Sequence, residues 1–229
     1  MGLVDSGSGG FIFLDAPGGT GKTFLLNTIL AKVRLGGKIA LASASSGIAA
    51  TLLKGGRTAH STFGIPLTLA HNDSPVSSIK KNSNHAEMLR KTSLIVIDEC
   101  SALHRRAYEV VDDLLQDMKD TTSLFGNIPV LIAGDFRQTL PVVQRGNAPD
   151  QLAACLKNSR LWSQVKTLRL RTNMRAHTTG DVRSSRFAAH LLRIGNGNVP
   201  SDHEDTIAIP RGVGTSKAWR TSRKLFTRI

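Results

Sequence analysis

The stretch Phe11-Ile12-Phe13-Leu14-Asp15-Ala16-Pro17-Gly18-Gly19-Thr20-Gly21-Lys22-Thr23-Phe24-Leu25 decides how the chain is read. Phe11 to Leu14 is a short apolar run with the character of a buried strand, and Phe24, Leu25, Ile29, Leu30 and Val33 recur at helical spacing. The glycine-rich segment between them predicts a loop, which places the loop at the start of a helix. There the unpaired N–H groups and the positive end of the helix dipole favour an anion. Residues 16–23 match the phosphate-binding pattern G-x-x-x-x-G-K-[ST] except at its first position, which is Ala16. If that residue needed a left-handed backbone the alanine would cost about 1 kcal/mol or more; with an ordinary dihedral it costs nothing. Gly18, Gly19, Thr20, Gly21, Lys22 and Thr23 are therefore the candidate nucleotide-binding residues. Lys22 supplies a catalytic point charge for the β- and γ-phosphates, and Thr23 a hydroxyl for Mg²⁺.

Outward from this loop, strand and helix patterns alternate. Ile39 to Ala42 reads as a strand, Ser46 to Leu53 as a short helix, and Leu94 to Ile97 as a buried strand. Leu103, Ala107, Val110, Val111, Leu114, Leu115 and Met118 mark one face of a helix. Strands are expected again at 130–133 and 165–170, with a helix near 150–157 between them. A last helix is expected over 182–194, with Phe187, Leu191 and Leu192 facing inward. Residues 68–92 are polar and predict an exposed insertion with little regular structure. The alternation predicts an α/β fold, a parallel sheet covered by helices on both faces.

Polar residues collect at the ends of these strands. Asp98 and Glu99 follow the strand at 94–97, at the sheet edge where ligands of open α/β sheets bind. An apolar strand delivering two carboxylates suits nucleotide hydrolysis: Asp98 holds Mg²⁺, directly or through water, and Glu99 takes a proton from the attacking water. An acidic helix cap is the alternative reading of the pair. Gln138, in Gly134-Asp135-Phe136-Arg137-Gln138, is placed to meet the γ-phosphate or orient water. Arg175, in Thr172-Asn173-Met174-Arg175, is a candidate arginine finger or a solvated surface charge.

Composition sets outer bounds. The 229 residues carry 30 Lys plus Arg against 17 Asp plus Glu, a formal charge of +13. Residues 156–229 hold 15 of the basic and only 4 of the acidic residues, so the excess is concentrated toward the end of the chain. Two cysteines make no disulfide framework or zinc cluster, which fits a reducing intracellular compartment. No apolar run reaches the length of a membrane span, so no membrane association is expected. Met1-Gly2-Leu3-Val4-Asp5-Ser6 fits the loose N-myristoylation pattern, one that arises often by chance.

Six segments in order carry a family resemblance: Gly18 to Thr23, Ala44-Ser45-Ser46-Gly47-Ile48-Ala49-Ala50, Gly56-Arg57-Thr58-Ala59-His60-Ser61-Thr62-Phe63, Ile97-Asp98-Glu99, Gly134 to Gln138, and Thr172 to Arg175. Together they resemble the Pif family of superfamily-one, RecD-like DNA helicases, in the version associated with Helitron transposons. The resemblance implies a RecA-like P-loop NTPase domain that uses ATP and Mg²⁺. In it the strand ending at Gly134 lies between the phosphate-loop strand and the Asp98 strand, so that Gln138 faces the γ-phosphate. It implies single-stranded DNA as partner, with Thr58, His60 and Ser61 on phosphates and Phe63 stacked on a base, whereas without the resemblance His60 reads as a loop histidine and Phe63 as a core residue. It further implies work in DNA repair, recombination or telomere maintenance, in the nucleus or the mitochondrion. The domain expected from it is residues 11–199, preceded by a short lead, 1–10, and followed by a flexible basic tail, 200–229. The family's upstream helix with an adenine-contacting glutamine has no room before Phe11, and no second RecA-like motif series follows residue 200. Unwinding would then require a second RecA-like domain, in trans or in a longer chain. A non-catalytic nucleic-acid-binding remnant with a vestigial nucleotide site, and a small-molecule kinase, remain as alternative readings of the residues themselves.

Overall fold

In the computed structural model, which describes residues 1–70, 72, 74–179, 182–199, 206–207 and 219–220, the apolar run at Phe11 is the fifth strand across a sheet of six. In chain order the elements are α1 (Gly2–Ser6), β1 (Gly10–Asp15), α2 (Lys22–Leu35), β2 (Ile39–Ala44), α3 (Gly47–Thr51), β3 (Arg57–Thr58), α4 (Ala59–Phe63), α5 (Asn84–Arg90), β4 (Thr92–Asp98), α6 (Arg105–Met118), β5 (Pro129–Gly134), α7 (Ala148–Ala154), β6 (Val165–Arg169), α8 (Met174–Thr179), α9 (Val182–Gly195), β7 (Thr206–Ile207) and β8 (Trp219–Arg220). The main sheet is all parallel in the order β3-β2-β4-β5-β1-β6, so β5 lies between the phosphate-loop strand and the Asp98 strand.

Burial follows position in that order. The central strands β4 and β5 are buried at nearly every residue, as a sheet covered on both faces requires, whereas the edge strand β6 is largely exposed. One core cluster joins Leu14 of β1, Leu26, Leu30 and Val33 of α2, Leu94 and Val96 of β4, and Leu131 of β5. Phe11 packs edge-on against Phe125 at 4.8 Å. Helix α6 buries the apolar stripe read from its spacing and adds Tyr108, whose hydroxyl donates to the Cys100 carbonyl at 2.9 Å. Because every connection between neighbouring parallel strands returns the chain to the same end, the loops after β1, β4, β5 and β6 gather at one edge.

Two sequence expectations need correction. The segment 68–92 contains α5, with Ala86 and Leu89 fully buried and Ser83 capping its first turn. Its stretch before α5 is pinned as well: Arg106 donates to the Leu69 carbonyl at 2.9 Å and Ser77 to the Phe63 carbonyl at 2.7 Å. Only two apolar residues face inward on this short helix, too few to make a period visible. In α9, Phe187, Leu191 and Leu192 retain 40, 50 and 37% exposure instead of facing a core. An apolar stripe sets which face of a helix is apolar, not whether another element covers it.

The chain divides into two compact units, Met1–Met174 and Arg175–Ile229. Within the second, β7 and β8 pair antiparallel. The remainder of the expected basic tail lies outside the described residues. Among the described residues no helix is long and apolar enough to cross a membrane.

Candidate nucleotide-binding site

The loop between β1 and α2 is shaped by two glycines. Gly19 and Gly21 both have φ of +84°, a left-handed conformation that other residues adopt only with strain. Ala16 is not in that region; it is buried, and its N–H donates to the Gly134 carbonyl at 3.1 Å, so the departure from the glycine pattern carries no backbone cost. Thr20 closes the loop by donating its hydroxyl to the Pro17 carbonyl at 2.7 Å. Gly21 is the residue before the first turn of α2, which places Lys22 and Thr23 at the helix start.

Lys22 meets both carboxylates at the end of β4. Its ammonium donates to Asp98 Oδ1 at 2.5 Å and to Glu99 Oε1. Burial alone would lower the lysine pKa, but the hydrogen bonds to Asp98 and Glu99 outweigh it and hold the ammonium above the ordinary lysine range. Asp98 is 1% exposed, and its Oδ1 also accepts the Glu99 N–H at 2.8 Å. Glu99 itself is left-handed, φ 53° and ψ 45°, a conformation that costs a non-glycine residue about 1–2 kcal/mol. The strain turns the chain sharply off the sheet and aims the Glu99 carboxylate back at Lys22.

The ends of β5 and β6 complete the edge. Gln138 Nε2 donates to Asp135 Oδ2 at 3.1 Å and lies 3.6 Å from where a side chain on Gly18 would begin. Asn173 donates to the Gly18 carbonyl at 3.2 Å, and its amide occupies the space a side chain on Gly19 would need. Lys22, Thr23, Asp98, Glu99 and Gln138 thus share one sheet edge with the loop. Arg175 stands in the first turn of α8, in the second unit.

Sequence reasoning assigned no role to Asn173, Asp15 or Arg137. Asn173 and Arg137 stand inside the motif segments at 172–175 and 134–138, and Asp15 directly precedes the loop; those positions are the available signal.

The donor set fits a hard divalent cation bound together with a polyphosphate. Thr23 and Asp98 offer two oxygen ligands, and no cluster of three or more His, Cys, Asp or Glu able to hold a metal occurs among the described residues. Such a pair suits Mg²⁺, which takes most of its ligands from phosphate and water.

The candidate nucleic-acid residues cluster at α4 but divide in character. Thr58 caps α4, its hydroxyl accepting the Ser61 N–H, and the exposed Ser61 hydroxyl accepts from Arg57 at 2.9 Å. His60 is half-buried, and that burial holds its imidazole below the ordinary range, neutral at pH 7. Phe63 corrects the sequence expectation: its ring is fully buried and offers no face to a base. A short helix must anchor itself on a sheet, and Phe63 is the largest apolar group α4 has for that purpose. Phe63→Ala should therefore lower unfolding free energy by about 3–5 kcal/mol in a denaturant titration, whereas a surface stacking residue would leave the midpoint in place.

A family model described as PIF1-like helicase matches residues 1–205. The chain is 30% identical over 221 residues to an ATP-dependent DNA helicase Pif1 of Bdellovibrio bacteriovorus, covering 92% of this chain and 48% of that protein. A crystal structure of Pif1 helicase from Candida albicans superposes with a TM-score of 0.68 at 27% identity, covering 87% of this chain and 43% of that one. The Bacteroides Pif1 structure in complex with ADP-AlF3 and ssDNA gives the same score and identity over 90% of this chain and 46% of that one. The chain spans about half the length of these relatives.

Proposed function

Because the chain belongs to the PIF1-like helicase family, whose curated members are ATP-dependent DNA helicases, we propose that it is the nucleotide-binding, ATP-hydrolysing first RecA-like domain of such an enzyme. It acts on single-stranded DNA, in DNA repair, recombination or telomere maintenance within the nucleus or the mitochondrion. Strand separation needs a second RecA-like domain, in trans or in a longer chain, because stepping along DNA requires two bodies that open and close with each ATP. The observation that carries this reading is the Lys22 ammonium bridging Asp98 and Glu99 at the mouth of the loop.

The ammonium has two possible sets of anionic partners, these carboxylates or the β- and γ-phosphate oxygens of a triphosphate. Moving to the phosphates, it would release Glu99 to accept a proton from the attacking water. The loop N–H groups and the start of α2 bind the phosphates, and Gln138 contacts the γ-phosphate. Thr23 and Asp98 would hold Mg²⁺, which supplies charge neutralisation along the phosphates when bound. Arg175 contributes positive charge to the transition state as an arginine finger. Thr58, His60 and Ser61 hydrogen-bond DNA phosphates, with His60 acting as a neutral donor.

The purified chain should hydrolyse ATP slowly and faster with a single-stranded oligonucleotide, yet fail to separate a 5′-tailed duplex in a single turnover. An absence of turnover would remove the ATPase reading, and turnover indifferent to DNA would favour a small-molecule kinase or other P-loop NTPase. Robust strand separation would show that no second domain is needed.

A further inference from the structure

Asp15 ends β1 one residue before the phosphate loop, and its half-buried carboxylate is the meeting point of three strand ends. Its Oδ1 accepts from the Arg137 guanidinium at 2.5 Å, and its Oδ2 lies 3.6 Å from Arg169 Nε at the end of β6. The same Arg137 donates through Nε to Asp135 Oδ1 at 2.6 Å, at the end of β5. Asp135, only 6% exposed, is the carboxylate that holds the Gln138 amide. Backbone bonds run alongside: Ala16 N–H to the Gly134 carbonyl at 3.1 Å, and Leu170 N–H to the Asp15 carbonyl at 2.9 Å. Beyond Leu170 the chain reaches Asn173 over Gly18 and Gly19.

From this arrangement we infer that Asp15 is a positioning residue. Through Arg137 and Arg169 its carboxylate locks the phosphate loop, the Gln138 turn and the Asn173 segment into one relative placement. It touches no phosphate itself. A planar guanidinium joining two carboxylates has a defined geometry that a point charge lacks, so Arg137 is the rigid member and Asp15 the anchor. Two anions share Arg137, and Arg169 at the more exposed flank limits their repulsion. The inference rests on the ATPase reading for its kinetic consequence, but the network exists without nucleotide.

Asp15→Asn, Arg137→Gln, Arg137→Lys and the double variant Asp15→Asn with Arg137→Gln, each in the full chain, test it by two readouts. In ATP turnover with saturating single-stranded oligonucleotide, each single variant should lose about tenfold in kcat with KM for ATP within about twofold, as expected of a misplaced rather than a missing group. The double variant should lose no more than the worse single one, and Arg137→Lys should fail to rescue. In amide hydrogen exchange without nucleotide, Arg137, Gln138 and Leu170 should exchange several times faster in Asp15→Asn, with β2 unchanged. Unchanged exchange at those amides, acceleration across the whole sheet, or a raised KM at constant kcat would each overturn the assignment. If the wild-type chain turns over no ATP, the ATPase reading fails, while the exchange pattern still decides whether Asp15 holds the three segments together.

Discussion

Replacing Lys22 by alanine is expected to abolish nucleotide turnover, a loss on the order of 10³-fold, and to weaken ATP binding in an equilibrium titration. The magnitude follows from removing a full positive charge from the place where phosphate charge is met, a larger deletion than one neutral hydrogen-bond donor worth about 10²–10³-fold. The same substitution should cost stability. Asp98 is 1% exposed and would lose its charged partner, Lys22, while Glu99, whose side chain is 36% exposed, can turn to water. The penalty expected is about 1–3 kcal/mol, most of it from Asp98. Its pH dependence has a definite sign. The folded-state pKa of Lys22 is raised, so the stability its pairing contributes is fully present below the unfolded lysine value and is lost as pH climbs through the higher folded value. The difference between wild type and Lys22→Ala should thus be flat across neutral pH and shrink only above about pH 10, near and beyond the ordinary lysine range. A variant that still turned over ATP would show that the loop lysine is not the group meeting the phosphates.

Glu99→Gln is the complementary case. The amide preserves length and can stay near Lys22, but it cannot accept a proton from water. Turnover should fall by about 10²–10⁴-fold, the range of a lost general base, with ATP affinity unchanged or tighter because one negative charge has left the triphosphate's surroundings. Single-turnover hydrolysis and nucleotide binding on the same preparation separate the two effects. A parallel loss of binding and turnover would place Glu99 in binding rather than in proton transfer. The left-handed backbone at Glu99 sharpens the expectation: strain of about 1–2 kcal/mol at a non-glycine residue is tolerated where its geometry is used. The turn it makes also lets Cys100 receive the Tyr108 hydroxyl, so the carboxylate's direction is braced from the core side by α6.

Much of the fold was legible because its signals are local. The run Phe11 to Leu14, the glycines before Lys22, and the apolar strand ending in Asp98 each depend on a few neighbouring residues, and their alternation with helices implies a parallel sheet. The sheet order placing β5 between β1 and β4 came from family resemblance, since strand order is a long-range property with no local trace. The helix α5 hid among polar residues because two inward positions make no period. The exposed face of α9 read as a core face because amphipathicity carries no information about a partner.

The site divides along the same line. Sequence by itself determined which residue types lie at the strand ends, and hence that a lysine, a threonine, two carboxylates and a glutamine are available for phosphate chemistry. Only the tertiary structure decided that Lys22 lies between Asp98 and Glu99, that Ala16 needs no glycine, that Phe63 is spent on packing, and that Asp15 and Arg137 tie the loop to Gln138. Each of these depends on contacts between residues far apart in the chain, or on a backbone angle set by such contacts. Spacing along a chain specifies which elements form and which faces they share; distances across strand ends arise only when the sheet assembles and burial makes each polar group find a partner.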